Sequence, residues 1–179
     1  MDIKAIIDSG DAAALQQLLA TEPSLANAPI NWGTRGELNS RPLHYICDKF
    51  FDGTLSDDAA VALARVVIGA GGDIDDRDGD PLNAAASLGA TGVGLLLLDA
   101  GARTDGRGIF GATALHWAAF IGDAVLVRRL LEKGAPPDLK DNKHDSTPLG
   151  WAEHGRGKPT PPGNHGHHDE VIAMLGGRP

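Results

Sequence analysis

The chain has 179 residues, a formal net charge of −8 and a single cysteine, Cys47, so an intramolecular disulfide is excluded and a reducing compartment is favoured. The negative field repels phosphate backbones and anionic membrane surfaces, and we therefore expect neither nucleic acid nor membrane as a partner. Residues 1–8 carry acidic side chains and no long apolar core, unlike a signal peptide, and we expect a cytoplasmic protein.

The first two predicted units cover residues 1–28 and 29–72. The first keeps a Gly-Asp turn at Gly10, followed by leucines with the spacing of one helical face. The second begins with a polar loop that contains Trp32, which is either an interface anchor or a lid over the neighbouring unit. Six extra residues lie between its predicted helices, at 50–55.

The remaining units cover residues 73–102, 103–135 and 136–179. The third opens with five aspartates within residues 73–80, which predict a locally negative edge suited to a basic partner. The fourth shows the clearest pair of helix patterns, separated by a Gly-Asp turn. The fifth has about ten extra residues at 156–165, whose glycines and prolines predict a loop.

Related tetrads recur along the last four units. They are Arg41-Pro42-Leu43-His44, Asp80-Pro81-Leu82-Asn83, Thr113-Ala114-Leu115-His116 and Thr147-Pro148-Leu149-Gly150. Their leucines are 39, 33 and 34 residues apart. A period near 33 with this core resembles the ankyrin repeat. The resemblance implies an all-α solenoid of about five helix-turn-helix units with projecting, hairpin-like fingers, which form a single domain over residues 1–179.

The resemblance also implies that partner proteins bind on the concave face, at the finger tips and the exposed positions of the first helices. The residues at these positions are Leu88 in unit three, Ile109, Phe110, Phe120 and Ile121 in unit four, and Lys143, His144, Trp151 and His154 in unit five. Their apolar members would form a contiguous patch, which often marks an interaction site. In the alternative interpretation, Phe110 and Phe120 cover each other or tuck under the loop at 156–165.

The tryptophans and tetrad histidines have a structural interpretation. Trp117 and Trp151 occupy equivalent positions in units four and five, where the resemblance implies partly buried framework, although Trp151 can reach the rim of the groove. The resemblance assigns His44 and His116 to hydrogen bonds that order neighbouring turns.

No nucleophile, phosphate-loop or HExxH motif is present in the sequence, and we expect a protein-protein interaction scaffold rather than an enzyme. Its partner would be another protein with apolar and basic surface. We expect no cofactor and no metal, because the remaining histidines and nearby carboxylates match no zinc signature. These residues are His144, His154, His165, His168, Glu153, Asp169 and Glu170.

Two rival functions stay open at this stage. The first is an enzyme, or a protein that binds a small ligand or metal, whose site is roofed by the insertions 50–55 and 156–165. Its candidate residues would be His144, Trp151, Glu153 and His154. The second is self-assembly through an apolar edge near Met174 and Leu175.

Overall fold

The computed structural model describes residues 2–33, 38–163 and 165–177. Residues 34–37 of the predicted first finger and Asn164 of the second insertion lie outside the described residues. Met1 and the last two residues of the fifth unit do so as well. The helices within the described ranges are α1 (Ile3–Ser9), α2 (Ala12–Thr21), α3 (Pro42–Phe51), α4 (Asp57–Gly69), α5 (Asp76–Leu88), α6 (Thr91–Asp99), α7 (Ala114–Ile121), α8 (Ala124–Glu132), α9 (Pro148–Gly155) and α10 (His168–Met174).

The helices stack in two rows. The first helices of successive pairs pack against one another in the order α3, α5, α7 and α9, and the second helices in the order α2, α4, α6 and α8. One helix pair cannot cover its own apolar face, and the neighbouring pair supplies the missing contact. The core is built mainly from leucine, alanine, valine and isoleucine. The expected all-α solenoid is confirmed.

Several helices begin at a side chain that caps free backbone N–H groups. Asp11 accepts from the N–H of Ala14 over 2.9 Å, and Asp123 accepts from the N–H of Leu126 over 2.9 Å. Ser56 does the same for α4. These caps fix where each helix starts and therefore how the turn before it is placed.

The fingers precede the first helices of the pairs. The first contains the antiparallel strands β1 (Ile30–Trp32) and β2 (Leu38–Ser40), with Trp32 opposite Leu38. The fingers of units four and five are closed by single backbone bonds, from the N–H of Gly108 to the carbonyl of Ala112 and from the N–H of Asp141 to that of Ser146. The fingers of units four and five are therefore hairpin-like, and the first finger contains a pair of strands.

The acidic segment 73–80 carries less unpaired charge than its sequence indicates. Asp76 lies 3.6 Å from Arg41, and Asp78 lies 3.1 Å from Arg103. Asp80 makes a 2.6 Å contact with His44. Neighbouring units therefore supply basic contacts to three of the five aspartates, and the local negative edge expected from this segment stays a prediction.

Both predicted insertions lie at the inter-helix turns, where the first helices end, rather than at the fingers. Leu55 is buried beside the α1–α2 turn, since a Cβ placed on Gly10 would lie 3.5 Å from its side chain. From the second insertion, His165 approaches the carbonyl oxygen of Gly89 in the α5–α6 turn over 3.2 Å. Among the described helices, none is long and apolar enough to cross a membrane.

Candidate functional site

A cavity of about 490 Å³ opens between the fingers and first helices of units four and five. Its aromatic lining consists of Phe110, Trp117, Phe120 and Trp151. The remaining lining residues are His144, Ser146, Gly150 and His154. We call this feature the aromatic cavity. Its volume lies within the range of roughly 300–1,000 Å³ that is typical of pockets able to bury a bulky group.

Helical spacing brings the aromatic side chains together. Trp117 and Phe120 are three residues apart on α7, and Trp151 and His154 are three apart on α9, so each pair shares one helix face. The rings of Trp117 and Trp151 meet edge to face, with centroids 4.8 Å apart and planes at 83°. Phe120 also packs edge to face on Trp151, at 5.9 Å. Such pairs are favoured by the ring quadrupoles, which makes the cavity wall rigid.

Asp141 holds the finger of unit five against this wall. Its side chain accepts from the indole N–H of Trp151 over 2.9 Å and from the backbone N–H groups of Lys143, His144 and Ser146. Burial alone would raise the pKa of Asp141, but these hydrogen bonds outweigh it and lower the pKa to about 2. The carboxylate is therefore charged and fully bonded, and its role is to position the finger.

Phe110 is held in a conformation that costs backbone energy. It is a non-glycine residue with φ of 66°, and its ring is 40% exposed. Its carbonyl accepts from the N–H of Asn142 over 2.7 Å, and its ring packs against Trp117 and His144. Strained residues concentrate at functional sites, because the surroundings must hold them in place.

His116 joins units four and five behind the cavity. Its Nδ1 accepts from the backbone N–H of Thr113 over 3.1 Å and from the hydroxyl of Thr113 over 2.9 Å. Its Nε2 therefore carries the proton and donates to the carbonyl of Ser146 over 3.2 Å. Burial lowers the pKa of His116, which suits a neutral ring with this bonding. The geometry matches the structural role that the sequence predicts.

Five of the predicted binding residues meet at the aromatic cavity. They are Phe110, Phe120, His144, Trp151 and His154. Lys143 lies beside them, with its Nζ 4.1 Å from the centroid of the Phe110 ring. The rings of Phe110 and Phe120 have different neighbours. Phe110 packs against Trp117 and His144, and Phe120 packs against Trp151 and His154.

Besides Lys143, three other predicted residues do not line the cavity. Ile109 is 70% exposed on the finger, and Leu88 is half-buried against the core. Ile121 is only 3% exposed, which corrects its placement in the exposed patch. The reason is that the chain before α10 covers the end of α7, where the N–H of Gly166 donates to the carbonyl of Ile121 over 2.9 Å.

The sequence interpretation missed Trp117, Ser146 and Gly150 as lining residues. For Trp117 the signal was present, because it precedes Phe120 by three residues on the same helix face. Ser146 and Gly150 carried no such signal, since their position depends on how the fifth finger folds against α9.

The candidate metal ligands and the insertions lie in different places. Nε2 of His168 donates to the carbonyl of Phe120 over 2.9 Å, and His165 contacts Gly89. In the part of the chain that the structure describes, no three histidine, cysteine or acidic side chains are grouped to hold a metal ion. Neither 50–55 nor the described part of 156–165 contributes a lining residue to the aromatic cavity.

Part of the chain is similar to known repeat proteins. Residues 82–158 match the family model described as ankyrin repeats (3 copies). The chain is also similar to an ankyrin repeat-containing protein of Treponema pallidum (strain Nichols), with 46% identity over 67 residues. That match covers 37% of this chain and 22% of the relative, so the chain spans only part of the relative's length. The matched repeats include α7 and α9, which carry the tryptophans of the cavity.

Proposed function

We propose that this chain, which is an ankyrin-repeat protein, binds another protein through the groove formed by the fingers and first helices of units three to five, with the aromatic cavity at its centre. Ankyrin repeats are generally protein-protein interaction modules. The observation that carries the proposal is the cluster of Phe110, Trp117, Phe120 and Trp151 around one open cavity.

The composition of this cluster fits a protein contact. Aromatic side chains provide much of the binding energy in interfaces, because they bury large areas with few rotatable bonds. Around the cavity, Ile109 and Phe110 are exposed on the finger, at 70% and 40%. A partner that covered them would bury apolar surface that a monomer leaves in water, which favours association.

The rigid placement of the cavity adds to this argument. Asp141 bonds the fifth finger to Trp151, and His116 bonds α7 to the same finger. The contact residues therefore lose little conformational entropy on binding, which leaves more of the interaction energy for affinity.

The proposal is tested by affinity capture from native lysate with quantitative mass spectrometry. The wild-type chain is compared with a Phe110→Glu/Phe120→Glu double variant, which puts two charges into the cavity. The matched control is Phe51→Glu/Val125→Glu, because both residues are exposed at 47% and lie outside the cavity. Circular dichroism establishes that all three chains are folded.

The expected result is a defined protein that is retained by the wild type and the control and is lost by the cavity variant. Burying an unpaired charge in an apolar contact costs several kcal/mol, so the loss should exceed about tenfold. A protein that is retained equally by the folded cavity variant would contradict the proposed contact face.

A further inference from the structure

The aromatic cavity has a cation at its edge and no carboxylate in its lining. The protein has a net charge of −8, yet no carboxylate is among the residues that line the cavity. The ionisable side chains in the lining are the imidazoles of His144 and His154. The ammonium group of Lys143 lies 4.1 Å above the ring of Phe110, at the cavity edge.

Lys143 differs from its neighbour Lys140 in a way that points to a ligand. Lys140, on the same finger, is paired with Asp145 over 2.7 Å. Within the described part of the chain, Lys143 has no carboxylate within ion-pair distance. Its ammonium group lies over the face of Phe110, which leaves the ammonium N–H donors free for an outside acceptor.

A second cation nearby is also without a carboxylate. Arg107 donates to the carbonyl oxygens of Gly111 over 2.8 Å and of Lys140 over 3.1 Å, which joins the two fingers. These acceptors are neutral, and among the described residues the guanidinium of Arg107 forms no ion pair, although its backbone N–H donates to Oδ2 of Asp78 over 3.2 Å. The guanidinium is therefore a second cation on the finger side of the cavity.

The nearest carboxylates do not pair with Lys143. Asp141 is ionised but only 3% exposed, and its oxygens are occupied by four N–H donors. Glu153, which is adjacent to His154 on α9, is exposed and makes no ion pair with any described residue.

The geometry points to an acidic peptide segment of the partner as the occupant of the cavity, with one aromatic or large aliphatic side chain inserted among the tryptophans and carboxylates placed at Lys143. This inference rests on the proposed function and names the chemistry of its partner. It differs from the basic partner that the acidic segment 73–80 predicts, because it concerns the cavity, while three aspartates of that segment contact basic side chains of the chain itself.

The test uses fluorescence anisotropy with three labelled peptides. The first has a central Phe-Leu pair flanked on both sides by glutamates, the second has the same centre flanked by lysines, and the third has the glutamates around a Gly-Ser centre. Each peptide is titrated with the wild-type chain, with the Lys143→Glu variant and with the Lys133→Glu variant. Lys133 is the matched control, because it is an exposed lysine at the end of α8 that lines no part of the cavity.

The expected result is that the first peptide binds at least about tenfold more tightly than either of the others. Lys143→Glu should weaken its binding by about tenfold, while Lys133→Glu should change it less than about twofold. Added salt should weaken the complex, because the flanking charges are exposed at the cavity edge. Lys143→Met, which removes the charge without reversing it, should give an intermediate affinity.

Other outcomes overturn the inference. If the lysine-flanked peptide binds as tightly as the glutamate-flanked peptide, or more tightly, the acidic partner is wrong. If that binding is also lost in the Phe110→Glu/Phe120→Glu variant, the proposed groove is still supported. Equal binding of the Gly-Ser peptide would show that surface charge alone is responsible. Absence of saturable binding by all three peptides at up to about 1 mM would also overturn it.

Discussion

The indole N–H of Trp151 donates to Oδ2 of Asp141 over 2.9 Å, and this bond fixes the fifth finger to the wall of the aromatic cavity. The same carboxylate accepts from the backbone of Lys143 and His144. One buried aspartate thus determines where a cation, an imidazole and a tryptophan stand relative to one another. The proposed binding surface therefore depends on a buried residue that a partner cannot reach.

Replacement of Asp141 should therefore affect both stability and binding. Asp141→Asn keeps the shape but turns one acceptor into a donor, which leaves two of the four N–H groups without a partner. We expect the free energy of unfolding to fall by about 2 kcal/mol or more in urea denaturation. Asp145→Asn is the matched control, because Asp145 is on the same finger with its side chain 81% exposed, and should cost less than about 0.5 kcal/mol. Equal losses in both variants would contradict this role of Asp141.

Phe110 offers a way to separate stability from binding. Phe110→Gly removes a ring from the cavity. It also relieves backbone strain of about 1–2 kcal/mol, because glycine adopts the left-handed conformation freely. This relief offsets the larger conformational entropy that glycine gives the unfolded chain. We expect the free energy of unfolding to change by less than about 1 kcal/mol, while affinity for the acidic Phe-Leu peptide falls about tenfold. Ile109→Ala, at a residue outside the cavity lining, should retain most of the affinity. A large loss of stability in Phe110→Gly would show that the ring is mainly framework.

His44 should make stability depend on pH in a defined direction. Burial disfavours its charged form, but the hydrogen bond to Asp80 and the charges of Asp80 and Asp48 outweigh burial and raise the pKa of His44 above 6.5. Its contribution is therefore fully present below the unfolded pKa of 6.5 and is lost as the pH rises through the raised folded value. The destabilisation caused by His44→Gln, roughly 1 kcal/mol at about pH 6, should shrink toward about pH 9.

This pH effect is measured by urea denaturation across that range, with the same substitution repeated in an Asp80→Asn background. Without the carboxylate, the difference between histidine and glutamine should lose its pH dependence. A difference that grows as the pH rises, in the wild-type background, would contradict the assignment.

Gly155 allows a close approach that joins α9 to the end of α7. A Cβ at this position would overlap the carbonyl oxygen of Phe120 and would lie 3.0 Å from Nε2 of His168. We expect Gly155→Ala to lower the free energy of unfolding by about 2 kcal/mol, because the backbone must move. Gly69→Ala is the control, since nothing lies near that helical position, and it should stabilise the chain by about 0.5–1 kcal/mol. A neutral effect of Gly155→Ala would show that α9 is free to shift.

The sequence predicted the repeat architecture because each tetrad is local and recurs at a near-constant period. It also predicted that Phe110, Phe120 and Trp151 lie on one face, and the three residues line the same cavity. It failed for Ile121, whose burial depends on a segment more than forty residues away, at Gly166. The sequence also did not show the contacts of the acidic segment 73–80 with Arg41 and Arg103, because these arginines come from neighbouring units. Pairings between units cannot be inferred from the composition of one unit.

The most direct test of the account uses the three tryptophan indole signals in a ¹H–¹⁵N correlation spectrum, titrated with the acidic Phe-Leu peptide. Trp117 and Trp151 line the cavity, while Trp32 lies in the first finger and serves as an internal control. The account predicts saturable shifts of the Trp117 and Trp151 signals with little change at Trp32. Shifts confined to Trp32, or no shift of any indole signal, would contradict the claim that this cavity is the partner-binding site.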